Sequence, residues 1–226
     1  MDVTSSYPTP TDTRQRLLEA AGEVFAERGF RTATVREICQ RAQANIAAVN
    51  YYFGDKERLY AAVLHYAHRC FTEKYPPDLG LSATATAEQR LHAFIRSFLW
   101  RIFGEGQPSW HGKLMLREMV EPTQALDALV EEEIRPLAEQ LETSVRELLG
   151  HPGSHNQVRL CAMSIASQCV FYHHCQPVLV RLYPAQHYRT QDIEHLADHI
   201  THFSLGALRH LASSAEENRS AIATPS

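Results

Sequence analysis

Apolar side chains recur every three or four residues along most of this 226-residue chain, which is the spacing of one face of an α-helix. The clearest short pattern begins at Thr34 and places Val35, Ile38, Cys39 and Ala42 on one face. No segment shows the strict alternation of apolar and polar residues that indicates a half-buried strand. We therefore predict an all-α protein.

A second short helix is predicted directly after a polar break at residues 43–45. Asn45 is suited to cap it, because its side-chain oxygen can accept from the free N–H groups of a new helix. The helix would start at Ile46. Its predicted inward residues are Ile46, Val49 and Phe53, and its predicted outward residues are Ala47, Asn50 and Tyr51. Two short helices joined by such a turn form a helix-turn-helix, whose second helix enters the DNA major groove.

The rest of the chain shows longer helical patterns that end at glycine or proline. The predicted helices are Thr13–Arg28, Lys56 to about Tyr75, Ala87 to Gly104, Trp110–Val120, about Thr123 to Leu149 with a kink at Pro136, Asn156 to about Tyr183 with a bend at Pro177, and about Asp192 to Ala212. The length suggests two units. We predict a disordered segment 1–11, a helix-turn-helix domain 12–56, a connector helix and linker 57–86, a larger helical domain 87–213 and a flexible tail 214–226.

Charge and cysteine content narrow the function classes only slightly. The net charge is −4, yet residues 1–75 carry ten Lys/Arg against nine Asp/Glu, which is +1. Seven basic residues bracket the second short helix: Arg14, Arg16, Arg31, Arg36, Arg41, Lys56 and Arg58. No apolar run approaches the roughly 20 residues that span a bilayer, the start lacks a signal-peptide pattern, and five cysteines form no CxxC pair. These features predict a cytoplasmic protein with reduced thiols.

The segment from Thr34 to Tyr60 reads TVREICQRAQANIAAVNYYFGDKERLY. It resembles the DNA-binding domain of the TetR family of transcriptional repressors over roughly residues 12–70, most specifically in the run YYFGDKERL. The later segment LMLREMVEPTQAL resembles the CecR subgroup of that family. Two positions depart from the family pattern: Gln43 stands where glycine is usual in the turn, and Asn50 stands where tyrosine is usual.

The resemblance implies an operator in double-stranded DNA, a homodimer formed by the last two long helices, and a small-molecule effector bound within residues 87–213. The predicted DNA-binding residues are Arg31, Thr34, Val35, Asn45, Ile46, Ala47, Ala48, Asn50, Tyr51, Tyr52 and Lys56. Among them, Asn50 is a candidate for bidentate reading of adenine, and Lys56 is a candidate phosphate contact. The resemblance implies a repressor that binds a palindromic operator and is released from it by the effector. By linkage, an effector that prefers another conformation of the protein weakens DNA binding by the same free energy.

Candidates for the effector pocket are aromatic and sulfur-containing residues at helix-interior positions. They are Phe98, Trp100, Phe103, Trp110, Met115, Met119, Phe171, Tyr172 and His173. Each of them is also compatible with plain core packing, because pockets and cores share this composition.

Three histidines of the last predicted helix suggest a metal site as another kind of chemistry. His195, His199 and His202 share one helix face, a spacing that could hold Zn²⁺ or Ni²⁺. A solvated or interface histidine stripe is the favoured interpretation, because no loop rich in metal ligands accompanies it. No Gly-rich phosphate loop, HExxH or GxSxG occurs, so an enzyme is not predicted and no cofactor is expected. The alternatives are a helical DNA-binding protein without small-molecule control and, least favoured, a His-metal-dependent enzyme.

Overall fold

The computed structural model describes residues 10–104, 110–150, 155–185 and 188–223. These residues form eleven α-helices and one π-helical segment, and none of them lies in a strand, so the all-α prediction is confirmed. The helices are α1 Pro10–Arg28, α2 Val35–Ala42, α3 Ile46–Tyr52, α4 Lys56–Lys74, α5 Ala87–Phe103, α6 His111–Val120, α7 Gln124–Leu129, α8 Arg135–Leu149, α9 His155–His174, α10 Gln176–Leu182 and α11 Thr190–Ala223. The π-helical segment is Val130–Ile134.

The chain forms two compact units that do not follow chain order. The first unit combines Met1–Phe71 with Gly106–Ile134, and the second combines Thr72–Glu105 with Arg135–Ser226. Helices α6 and α7 therefore pack with α1–α4, whereas the predicted contiguous domain 87–213 groups them with the later helices. The first unit is discontinuous in sequence, with α5 encoded between its two parts.

The core of the first unit forms where apolar faces of α1–α4 meet. Leu17, Val24 and Phe25 of α1 are fully buried, as are Ile38 of α2 and Leu59 of α4. This agrees with the apolar face predicted for α2 and with the helical pattern predicted for Thr13–Arg28. Burial of this kind stabilises a fold by about 25 cal/mol for each Å² of apolar surface removed from water.

One predicted core residue of α3 is wrong. Val49 and Phe53 are buried, but Ile46 is 48% exposed. Ile46 is the first residue of a seven-residue helix, and its neighbours Asn45 and Ala47 are exposed too. The first turn of α3 therefore projects from the core, and only its second turn is anchored.

The second unit is built on the wide apolar face of α5. Leu91, Ile95 and Leu99 are fully buried there and pack in one core with Val145 of α8 and Ile200 of α11. The helix starts with a capping box, in which Thr86 Oγ1 accepts from the N–H of Gln89 at 3.2 Å and the Gln89 side chain accepts from the N–H of Thr86 at 2.9 Å. Such a box satisfies two N–H groups that the helix itself leaves unpaired.

Two predicted long helices are divided rather than bent. The pattern from Thr123 to Leu149 is interrupted by the π-helical segment, which ends at Ile134 in the turn that precedes Pro136. Proline lacks the N–H that would continue the α-helical ladder, and its ring crowds the preceding turn. The pattern from Asn156 to Tyr183 breaks at Cys175, and Pro177 lies in the first turn of α10. Proline is well tolerated at that position.

The last helix is longer than predicted. It runs to Ala223 instead of Ala212, and the stretch from Ser213 to Ala223 contains neither proline nor glycine to end it. At the other end, α1 begins at Pro10, three residues before its predicted start. The predicted disorder of residues 1–9 and the end of the predicted tail, residues 224–226, lie outside the described residues. None of the helices in the described part of the chain is long and apolar enough to cross a membrane.

Candidate nucleic-acid interface

Side-chain caps fix both helices of the helix-turn-helix. Thr34 Oγ1 accepts from the N–H of Glu37 at 3.2 Å at the start of α2. Asn45 Oδ1 accepts from the N–H of Ala47 at 3.0 Å at the start of α3. The predicted role of Asn45 as N-cap is confirmed, and each cap is worth about 1 kcal/mol.

The turn between the two helices depends on Gln43. Its backbone adopts the left-handed conformation with φ 51° and ψ 46°, and the N–H of Ala44 donates to Cys39 O at 2.9 Å. Glycine takes this conformation without steric cost, whereas other residues lose roughly 1–2 kcal/mol. Gln43 therefore adopts the conformation that the family's usual glycine favours, at an energetic cost.

The outer face of α3 is open to solvent, as predicted. Ala47 and Asn50 are exposed and Tyr51 is 81% exposed. Tyr52 is half-buried against the core of the first unit and meets the Tyr51 ring edge-on, with centroids 4.9 Å apart. Ala48 also packs against that core. The candidate reading face consequently consists of Asn45, Ile46, Ala47, Asn50 and Tyr51, and Ala48 and Tyr52 lie behind it.

Lys56 supports the loop that precedes α2. Its Nζ donates to Ala33 O at 2.8 Å and to Arg31 O at 3.3 Å, and it lies 4.8 Å from the centre of the Phe30 ring. An ammonium group has three protons to donate, so two of them hold the loop. The α4 helix that carries Lys56 begins with the carboxylate of Asp55, which accepts from the N–H of Arg58 at 2.7 Å.

The predicted basic residues differ in what they contact. Arg41 makes a bidentate pair with Glu27 of α1 at 2.8 and 2.9 Å and also lies 3.4 Å from Glu23, and its hydrogen bond lowers the pKa of Glu27. Arg14 lies over the Phe53 ring at 5.5 Å. Arg31 and Arg36 are exposed. The positive charge available to a phosphate backbone is thus smaller than the count of basic residues suggested.

Two residues of α6 that contact the helix-turn-helix unit were missed by sequence reasoning. Glu118 is 1% exposed and accepts from the hydroxyl of Tyr60 in α4. Arg117 donates to Ala26 O and Glu27 O at the end of α1, at 3.0 and 3.1 Å. One sequence feature could have indicated that Glu118 is buried: it lies four residues after Leu114, on the same face of the helix.

The nine pocket candidates do not gather in one place. Trp110, Met115 and Met119 belong to the first unit, where Trp110 is buried in the core and Met119 is 54% exposed. In the second unit, Phe98, Trp100, Phe103 and Tyr172 pack against the core, Phe171 is 50% exposed, and His173 meets the Phe103 ring edge-on at 5.7 Å.

A separate cleft of about 420 Å³ opens in the second unit. It is lined by Leu79, Leu81, Glu88, Gln89, His92, Ala93, Arg96, Asp198, Thr201, His202 and Leu205, none of which is a predicted pocket residue. His195, His199 and His202 are all exposed on α11. Among the side chains that the structure describes, no group of three His, Cys, Asp or Glu residues is arranged to hold a metal ion.

Comparison with known proteins identifies the family. Residues 17–63 match the family of bacterial regulatory proteins of the TetR type, and residues 87–208 match the C-terminal domain of the HTH-type transcriptional dual regulator CecR. The chain belongs to the TetR family. Its second matched region covers more than half of the chain and is of the CecR type, as the sequence resemblance predicted.

Individual relatives agree with this assignment. The dual regulator CecR of Shigella flexneri is 32% identical over 136 residues, which cover 57% of this chain and 60% of that protein. The repressor NicS of Pseudomonas putida is 34% identical over 91 residues, 39% of this chain and 40% of that protein. Among solved structures, FadR of Bacillus subtilis in complex with stearoyl-CoA has a TM-score of 0.59 at 19% identity, covering 84% of this chain and 97% of FadR. These TetR-type relatives are regulators, as expected for a protein that is not an enzyme.

Proposed function

We propose that this protein is a homodimeric, cytoplasmic transcriptional repressor that binds a palindromic operator and is released by a small molecule. The observation that carries the proposal is the exposed outer face of α3, held at one end by the Asn45 cap and at the other by buried Val49 and Phe53. A short helix presented in this way fits the major groove by its N-terminal end.

The outer face of α3 offers both polar and apolar groups to base edges. Asn50 can read adenine through N6 and N7. Exposed Ile46 and Ala47 at the helix start can contact thymine methyl groups. Tyr51 on this face, Thr34 at the start of α2 and Arg31 in the preceding loop are exposed and suit phosphate contacts, which set register and affinity rather than sequence preference.

A second copy of the chain is needed for useful specificity, because one short helix reads few base pairs. The exposed apolar residues of α9 and α11 support self-association: Leu160 is 53% exposed, Met163 60% and Phe203 63%. A two-fold dimer places its readers about 34 Å apart, one helical turn of DNA, and therefore recognises an inverted repeat.

Control by a small molecule follows from linkage. A compound that prefers the conformation with displaced readers weakens operator binding by the same free energy, about 1–3 kcal/mol in typical cases. In the second unit, the Phe103 ring, which meets His173 edge-on at 5.7 Å, offers aromatic surface for such a compound. FadR, which shares the fold, holds stearoyl-CoA in its solved structure, and NicS is named a repressor. A helical DNA-binding protein without an effector is the competing function.

The test is selection of bound sequences from random duplex DNA by the purified full chain. The expected product is an inverted repeat whose half-site centres lie about 10 base pairs apart or a multiple of that spacing. A monomer in solution, or no preference for an inverted repeat at moderate ionic strength, would overturn the proposal. A thermal-shift screen then separates the two functions: a compound that stabilises the protein and weakens operator binding supports effector control.

A further inference from the structure

The carboxylate of Glu118 joins three helices of the first unit. One oxygen accepts from the hydroxyl of Tyr60 in α4, and the other accepts from the backbone N–H of Thr123 at 3.1 Å and from its hydroxyl at 3.3 Å. Thr123 caps the start of α7. Burial and the hydrogen bond to Glu118 raise the pKa of Tyr60, so its hydroxyl keeps the proton that it donates.

The neighbouring residue, Arg117, holds a different helix. Its guanidinium donates to the carbonyls of Ala26 and Glu27 in the last turn of α1. The last four carbonyls of a helix have no partner within it, and a cation is favoured at that end by the helix dipole. Two consecutive residues of α6 thus hold α1 and α4 at once.

From Tyr60 the contacts continue to the helix-turn-helix. The Tyr60 ring meets Phe25 edge-on at 4.8 Å and lies 4.8 Å from Phe30. The ammonium group of Lys56 lies over the ring of Phe30 and donates hydrogen bonds to the carbonyls of residues 31 and 33. Thr34, the cap of α2, follows immediately. The path from Glu118 to the first residue of α2 is therefore continuous.

The segment of the first unit that carries α6 and α7 is joined along the chain to the second unit at both of its ends. The chain passes from one unit to the other after residues 71, 105 and 134, and two of these three passages flank the segment that contains α6 and α7. A change in the second unit can act on the reading helix through this segment or through the end of α4. Residues 117 and 118 are where the segment holds α1 and α4.

We propose that Arg117 and Glu118 form a clamp that fixes the orientation of α3 relative to α6 and α7, and thereby sets which half-site spacing the dimer accepts. This rests on the proposed operator binding. Both are positioning residues, because the contacts that the structure describes for them are with α1, α4 and the start of α7. Loosening the clamp should allow each reader to reorient and should weaken the discrimination between spacings.

The experiment compares binding to three duplexes that carry the selected inverted repeat at its own spacing and at one base pair more or less. One base pair moves a half-site by about 3.4 Å along the axis. Wild type should prefer its own spacing, and Tyr60→Phe, Glu118→Gln and Arg117→Ala should reduce that preference by about two- to thirtyfold. Glu118→Gln turns one of the two accepting oxygens into an NH2 donor, so it can no longer accept from Tyr60 and Thr123 at once. Because Tyr60→Phe removes a donor from the same network, their double variant should lose little more than Glu118→Gln alone.

Two controls match these changes. Tyr66→Phe removes a hydroxyl from the same helix α4, but its partner is Gln15 of α1. Glu194→Gln removes a carboxylate that accepts from Arg96 and Trp100 in the second unit. Both should keep the wild-type spacing preference. A variant that is only less well folded loses binding to all three duplexes alike, and Tyr60→Phe keeps its ring contacts, so the test does not depend on the other variants folding.

The outcomes separate the two proposals. If wild type prefers no inverted repeat, the proposed function fails and the clamp fails with it. If wild type does prefer one spacing and the three variants keep that preference unchanged, the clamp alone is overturned. Reduced discrimination in the three variants together with unchanged controls supports the clamp.

Discussion

Gly22 of α1 lies directly against the indole of Trp110: a methyl group at Gly22 would lie 2.4 Å from Trp110 Cε2. Trp110 is 5% exposed and belongs to the core of the first unit. This contact shows that Trp110 is a core residue, whereas its sequence pattern was compatible with either a pocket or the core. It also explains why α1 needs glycine at this position, in the middle of a helix where glycine is otherwise unfavourable.

Gly22→Ala should therefore destabilise the protein. Overpacking of a core typically costs about 1–3 kcal/mol, which outweighs the gain in helix propensity. Urea unfolding followed by circular dichroism measures the change. The double variant with Trp110→Leu should lose less than the sum of the two single changes, and strict additivity would show that the ring is not what excludes the methyl group.

Gln43→Gly should stabilise the turn of the helix-turn-helix. Glycine relieves the left-handed strain at Gln43, and we expect a gain of about 0.5–1 kcal/mol after its larger backbone entropy is deducted. Gln40→Gly is the matched control, since Gln40 is also exposed but lies within α2, where glycine costs about 1 kcal/mol. Thermal unfolding should move in opposite directions for the two variants.

Asn50→Ala should relax base preference at one position of each half-site. Loss of a bidentate contact to adenine costs about 1–3 kcal/mol on the selected operator, and binding to random DNA should remain the same. Titration of operator and scrambled duplexes by fluorescence anisotropy measures both. If affinity fell equally for the two duplexes, Asn50 would contact the DNA backbone and not a base.

Lys56→Ala should weaken binding to every sequence alike. Affinity falls as salt rises, and we expect this dependence to become less steep: the slope of log affinity against log salt should decrease in magnitude by about one, as for loss of one phosphate contact. Lys74→Ala removes the same charge from the other end of α4 and should leave the slope as in wild type. Weaker binding with an unchanged slope would mean that Lys56 acts only by holding the carbonyls of Arg31 and Ala33.

His173 should make the protein less stable in acid. Burial, together with nearby His174, lowers the pKa of His173, so the unfolded chain takes up this proton more readily than the folded one. The free energy of unfolding is then highest above the ordinary histidine pKa of about 6.5 and decreases as pH falls through it. Urea unfolding at about pH 8 and about pH 5.5 should show a smaller loss for His173→Phe than for wild type.

The reading helix was predictable because its signals are local. The cap at Asn45, the break before it and the inward side chains of Val49 and Phe53 are all set within a few residues, where hydrogen bonding and helix period decide the outcome. Ile46 was misplaced for a physical reason: period alone cannot tell which turn of a short helix extends beyond its neighbours.

The features that the sequence did not predict depend on contacts between residues that are far apart in the sequence. Glu118 and Tyr60 are 58 positions apart, and nothing near either residue in the sequence indicates the other. Trp110 gave the same signal for a pocket as for a core. The π-helical segment was read as a simple kink, because the pattern around Pro136 shows that the ladder must be disturbed but does not show how.

The discontinuity of the first unit has a consequence for the order in which the chain folds during synthesis. Ribosomes release the N-terminus first, at about 5–20 residues per second, so α1–α4 emerge well before α6. Until residue 118 follows, the Tyr60 hydroxyl and the carbonyls of Ala26 and Glu27 have to be satisfied by water. The DNA reader of a nascent chain is thus completed only after α5, which belongs to the other unit, has been made.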